Sequence, residues 1–226
     1  MTHKVAIRDA IVQRVLERRG RLHLFDSLDP RRTALLVIDM QNAFVALGAP
    51  VEVPAARGIV SQINAMAAEL RRRGVPVIWV LHENLKDGKN WSGFFDVFVV
   101  PEKRAAAAQA LAAGSEMQKA FPEMNTDPRD VYVEKNRYSA LIAGSGPLQD
   151  ELRRRGIDTL LIAGTKTNVC CESTARDAMM LDYKVVMLSD CTAALSDEEH
   201  LATLENVIQQ FGDVLTAGEA LALLDK

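Results

Sequence analysis

From residue 34 onward, two apolar patterns alternate along the chain. Short runs rich in β-branched residues and leucine stand at 34–39, 75–81, 131–134, 159–163 and 184–189. Longer stretches at 55–73, 146–155, 171–182 and 198–211 read as helices, and Gly74 and Gly156 close the first two. Runs that are apolar at consecutive positions suit strands buried on both faces. Strands separated by helices are joined by right-handed crossovers and lie parallel in one sheet. A weaker strand at 214–216 and a turn or helix at 217–224 extend the series. The expected fold is α/β: three layers, α/β/α, around a mostly parallel central sheet. Ligands on such a sheet bind beyond the carboxyl ends of its strands.

Two segments depart from the rhythm. Residues 5–19 set Val5, Ile7, Ile11, Val12, Val15 and Leu16 at helical spacing, and Asp29-Pro30 then breaks the chain. Residues 1–28 are read as an N-terminal helical extension that caps the domain or reaches a neighbouring subunit. Residues 83–128 form a long insertion between strands. Lys86-Asp87-Gly88-Lys89-Asn90 is turn-like, and 105–113 reads as a helix. Residues 91–98 concentrate aromatics in a chain that is 5% aromatic. Insertions of this length usually carry function or flexibility, so this one is expected to contribute to the pocket or a subunit interface. At 226 residues, one domain spanning 1–226 is the default.

Composition narrows the partners. Apolar residues at 48% and charged residues at 25% are ordinary for a soluble globular protein. A net charge of −3 supplies no basic field for nucleic acid. The clusters Arg71-Arg72-Arg73 and Arg153-Arg154-Arg155 each precede a glycine, where cations meet the negative end of a helix dipole. No apolar run reaches the length of a membrane span, and residues 1–19 lack the apolar core of a secretory leader. The expectation is a small-molecule substrate and water, with no nucleic acid and no membrane. The cysteines form no paired framework, and a bridge between adjacent Cys170 and Cys171 would be strained. A reducing, cytoplasmic setting fits.

Three residues that carry chemistry stand at strand ends. Asp39 ends the first core run, Lys135 follows Val131-Tyr132-Val133-Glu134, and Cys170 lies between the run ending at Ala163 and the next helix. A cysteine at a helix start meets unpaired N–H groups and the positive end of the dipole, which favour its thiolate. A carboxylate accepts the thiol proton, a lysine ammonium favours both anions, and the sulfur attacks a carbonyl. Each residue also has a bland reading. Aspartate after a strand often caps a helix or forms a turn. A single lysine is ordinarily a surface residue, and a single cysteine a small apolar filler.

The segments Ile38-Asp39-Met40-Gln41-Asn42-Ala43-Phe44, Glu134-Lys135-Asn136-Arg137-Tyr138-Ser139-Ala140 and Gly164-Thr165-Lys166-Thr167-Asn168-Val169-Cys170 come in this order. Together they resemble the three signature segments of the isochorismatase-like cysteine hydrolases. The resemblance covers roughly residues 30 to 220 and includes Ser189-Asp190-Cys191-Thr192-Ala193-Ala194 and Glu199-His200. It implies an isochorismatase-like fold. Asp39 would be general base and later acid, Lys135 the cationic partner and Cys170 the nucleophile. It also implies a cis Thr165–Lys166 peptide, with the backbone N–H groups of Lys166 and Cys170 as the oxyanion hole.

Within that superfamily, a cysteine at position 170 favours hydrolysis of a C–N bond through an acyl-enzyme. The segment 167–178 looks closest to ureidoacrylate-type amidohydrolases, with biuret and N-carbamoyl hydrolases nearby. The alternatives are a vinyl-ether hydrolase, a nicotinamidase-like amidase and a non-catalytic binding protein on the same fold. His3, His23, His82 and His200 are scattered without ligand spacing, so neither a catalytic metal nor a cofactor is expected. Candidate pocket residues are Asn42, His82, Asn84, Trp91, Phe95, Arg137 and Tyr138. Trp91 and Phe95 serve equally well as core or subunit contacts, and Arg137 as a surface residue. Lys166 selects an anionic substrate if its side chain turns inward. Cys171 is read as a buried helix residue and His200 as a structural hydrogen-bonding residue. Family members are commonly dimers or tetramers, which implies a homo-oligomer.

Overall fold

The computed structural model describes residues 3–226. Its strands are β1 (Thr33–Ile38), β2 (Val77–His82), β3 (Val131–Lys135), β4 (Thr159–Thr165), β5 (Lys184–Ala193) and β6 (Asp213–Leu215). They form one six-stranded sheet in the order β3-β2-β1-β4-β5-β6, and every pairing is parallel. The chain winds outward from β1 to β3, then returns to β4 on the other side of β1. Connections therefore leave the β1–β4 boundary in opposite directions and open a crevice at the strand carboxyl ends.

Side chains alternate across the sheet and feed two cores. Leu35 and Val37 of β1 face one core, shared with α3 (Ala56–Arg72) and α9 (Ala217–Leu224). Ala34, Leu36 and Ile38 face the other, shared with α1 (Asp9–Arg19), α6 (Leu148–Arg154), α7 (Glu172–Met180) and α8 (Asp197–Asn206). On α3, Ile59, Ile63, Met66 and Leu70 recur at helical spacing and are fully covered. Each such side chain stabilises the fold by about 1.5–3 kcal/mol on burial. Ser196 caps α8 by accepting from the Glu199 N–H, and Thr216 forms a reciprocal capping box with Glu219 on α9.

The sequence expectations need local correction. The N-terminal helix begins at Asp9, not at residue 5. The Arg8 backbone is extended, and its N–H and guanidinium both bind the Glu205 carboxylate. Val5 and Ile7 still pack on the second core. β5 runs four residues past the expected end, because a register shift opposite Ile162–Gly164 lets Thr192 and Ala193 pair with Gly164 and Thr165. The helix expected at 198–211 ends as a π-helical turn over Val207–Phe211. The helix expected from 171 is likewise preceded by a π-helical turn over Thr167–Cys171.

The insertion holds α4 (Ser92–Phe98) and α5 (Pro101–Ala110), with Pro101 supplying a helix-compatible first residue. The expected helix at 105–113 is thus displaced toward the N-terminus. Backbone bonds tie the insertion to the sheet end: Phe121 N–H donates to Met40 O and Asn84 N–H to Leu111 O. A short helix α2 (Asn42–Val45) follows β1 and receives the same segment through Asn42 N–H to Lys119 O.

Candidate active site

The three strand-end residues converge. β1 and β4 are direct neighbours, and His82 at the end of β2 pairs in register with Lys135 at the end of β3. Asp39, Lys135 and Cys170 are all buried. The Lys135 ammonium donates to Asp39 Oδ2 at 3.0 Å, to Arg137 O at 3.1 Å and to His82 Nδ1 at 3.3 Å. Those acceptors use its three protons, so Lys135 acts on the sulfur of Cys170 chiefly through charge. Among the described residues, Asp39 Oδ1 has no hydrogen-bond partner. It is a free acceptor beside the Cys170 thiol.

Local sequence explains this placement. Asp39 sits in the left-handed region at φ 53°, which aspartate tolerates better than most residues, and its N–H donates to Val80 O. Gly164 makes the close approach of β4 to β1 possible: a Cβ there would lie 2.0 Å from Ile38 O, and its φ is +111°. Buried Gln41 joins the ends of β1 and β2. Its amide donates to His82 O at 3.0 Å, and its Oε1 accepts the His82 N–H at 2.8 Å. The Thr165–Lys166 peptide is cis.

Burial sets the protonation states. Removal from water and the neighbouring Asp39 push the Cys170 thiol up to about 12, against the opposing pull of Lys135. The resting sulfur is therefore a neutral thiol. This corrects the expectation of a thiolate favoured by a helix start: Cys170 lies within the π-helical turn, shielded from water and beside a carboxylate. Burial also raises the Asp39 carboxyl, only partly offset by Lys135, which makes it a stronger base than an exposed aspartate. Burial works against the Lys135 ammonium, but the charge and hydrogen bond of Asp39 favour it, and its pKa is raised. His82 is pulled down to about 3 by burial and by Lys135, so it is neutral. Its Nδ1 faces an ammonium and must accept, so its proton is on Nε2 and donates to Asn84 Oδ1 at 3.0 Å.

Cys170 opens onto a cavity of about 370 Å³. Of the sequence candidates, His82, Asn84, Trp91, Phe95, Tyr138 and Lys166 line it. Asn42 and Arg137 do not. The Asn42 amide is turned to Glu116 O at 2.7 Å, and the Arg137 guanidinium is held by Asn136 while lying 5.2 Å from the Trp91 ring centre. Arg137 reaches the centre through its backbone carbonyl instead, which no side-chain signal announces. Sequence reading also missed Gln41, a polar residue within a stretch destined for burial. The α5 face of Lys103, Ala106, Ala107 and Ala110 was missed too, although its spacing is helical. Cys171 is fully buried, and His200 pairs with Thr167 Oγ1 at 2.9 Å. Among the described residues, no group of three or more His, Cys, Asp or Glu is placed to hold a metal ion.

This geometry has relatives. The family model described as "Isochorismatase domain" matches residues 33–219. The chain belongs to the isochorismatase family. Among family relatives, a ureidoacrylate amidohydrolase RutB from Agrobacterium fabrum is 32% identical, the match covering 88% of this chain and 93% of that protein. An Arabidopsis thaliana protein named "Probable inactive nicotinamidase" is 34% identical, with 77% and 87% covered. A cysteine hydrolase structure from Pseudomonas syringae pv. phaseolicola superposes with a TM-score of 0.82 at 30% identity, covering 91% of this chain and 97% of that one.

Proposed function

We propose that the protein is an amidohydrolase that cleaves a C–N bond other than a peptide bond in a small linear ureide or amide. The reading covers ureidoacrylate, biuret and N-carbamoyl compounds. Asp39 takes the Cys170 proton as sulfur attacks the carbonyl carbon, so no free thiolate has to accumulate. The N–H groups of Lys166 and Cys170 receive the developing oxyanion. Protonated Asp39 then gives its proton to the departing nitrogen, and the C–N bond breaks to leave a thioester from an amide or an S-carbamoyl group from a ureide. Water attacks that carbonyl carbon while Asp39 again accepts a proton, which returns to the departing sulfur. Lys135 keeps its charge throughout and steadies whichever anion forms. His82, neutral and fixed by Asn84, positions Lys135.

The observation that carries this reading is the buried Asp39–Lys135 pair beside Cys170, the member of the three that lines the cavity. The amidohydrolase relatives support it. Cys170→Ala should lower ammonia release from its ureide substrate by at least about 1000-fold while the fold survives. Turnover that persists in Cys170→Ala but requires Asp39 would point to vinyl-ether or other non-amide hydrolysis instead. The chain is read as one catalytic domain that works as a homo-oligomer in a reducing, cytoplasmic setting. Exposed Val97, Phe98 and Val100 in the insertion support the oligomer, which light scattering tests. The free cysteines support the setting.

A further inference from the structure

We infer that the preferred substrate is a carboxylate-bearing acyl or carbamoyl compound carrying an uncharged, apolar group of about phenyl size; this deepens, and rests on, the hydrolase reading above. The cavity lining mixes a few polar residues with an apolar majority. His82, Asn84 and Lys166 line it together with Cys170. Much of the rest of its wall is the Ala106, Ala107 and Ala110 face of α5 with Phe44, Val51 and Phe94. Such side chains offer no hydrogen bonds. A substrate that is polar along its whole length would lose water against this wall and gain no partner. An apolar group gains by leaving water there.

The aromatic side chains of the lining pack on one another and add apolar ring surface to the cavity. Trp91 stacks on Phe94 at 4.8 Å and meets the Tyr138 ring edge-on at 4.8 Å. Burial keeps Tyr138 a neutral phenol by raising its pKa. The alanines on α5 leave room that larger residues would fill. Charge limits the rest of the substrate. The charged residues lining the cavity are Lys103 and Lys166, and among the described residues no aspartate or glutamate lines it. A carboxylate on the substrate is therefore admitted, and a cation is disfavoured.

The first test is binding to the intact wild-type protein by calorimetry, with 3-phenylpropionate and propionate as probes. Both are carboxylates, so the difference reports the apolar group alone. We expect 3-phenylpropionate to bind at least tenfold tighter. Equal affinities overturn the inference whatever the enzyme hydrolyses. The second test compares kcat/KM for N-carbamoylphenylalanine and N-carbamoylglycine by ammonia release. A preference of tenfold or more for the first is expected, and no preference or the reverse overturns the inference. The third test is Ala107→Phe, confirmed as folded by its thermal transition, which should cut the binding preference below threefold. Selective binding without ammonia release from any ureide or amide would uphold the cavity's preference and defeat the hydrolase reading, so the two failures are separable.

Discussion

On the proposed mechanism, Cys170 is a nucleophile held in its protonated form, and that divides the labour at the centre. Asp39 raises the thiol's pKa while offering Oδ1 to take its proton, whereas Lys135 pulls the same pKa down. Reactivity toward a simple alkylating agent and catalytic turnover should therefore respond oppositely to one substitution. Asp39→Asn removes the negative charge beside the sulfur and leaves the ammonium, so the Cys170 pKa should fall and iodoacetamide should label it faster near neutral pH. The same variant lacks the base, so turnover should drop by roughly 100- to 10,000-fold. Mass-spectrometric labelling of Cys170, distinguished from Cys171 by peptide mapping, reads the first effect. Slower labelling in Asp39→Asn would show that the carboxylate does not oppose the thiolate. In the wild type, activity should decline in acid through a pKa above that of an exposed aspartate, because burial raises the Asp39 carboxyl and its protonation removes the acceptor. A pH–kcat/KM profile whose acid limb lies at or below the ordinary aspartate value would contradict that assignment.

At the level of elements, the site depends on how closely β4 approaches β1. Gly164 faces Ile38, the residue before Asp39, with backbone atoms so near that a methyl group has nowhere to go. Both strands are central and paired on each side, so neither yields cheaply. Gly164→Ala should destabilise the protein by about 3 kcal/mol or more, from overpacking and the positive φ together, and should lower kcat by displacing Asp39. Gly218 in α9 is the matched control: nothing lies within 4 Å of a Cβ there, and its φ is not in the left-handed region. Gly218→Ala should be neutral or stabilising by up to about 1 kcal/mol. Denaturant midpoints for both variants would check the pair, and equal effects would refute the close-approach argument. This contact was not legible from the strand patterns at 34–39 and 159–163. Those runs announce two buried strands but not that they are neighbours, since apolar patterning carries no strand order.

For the whole molecule, what the sequence revealed follows from which forces act locally. The sheet, its covering helices and the three strand ends that meet at the candidate site were readable because β-branched runs, glycine stops and motifs at strand ends are local signals. The insertion was not, because α4 and α5 fold against each other and the cavity, and their alanines and aromatics carry no single periodicity. Protonation states were also hidden, since they come from burial assembled across the 130 residues of chain between Asp39 and Cys170. Two buried histidines show how that assembly links to global stability. Burial holds His82 neutral down to about 3, and burial with His3 holds His200 neutral down to about 4. In the unfolded chain both take up a proton near pH 6.5. Between those values the unfolded state binds more protons, so stability rises with pH and falls on acidification. At pH 5 each histidine should withdraw roughly 2 kcal/mol relative to pH 7. His200 lies outside the cavity lining, bonded to Thr167 and stacked on His3 at 4.3 Å. His200→Gln should therefore flatten the Tm-against-pH curve between pH 7 and pH 5 relative to wild type, whatever it does to the Tm at pH 7. A variant whose curve stays parallel to that of wild type would mean that His200 is protonated alike in both states, and the buried-neutral account of this layer would fall.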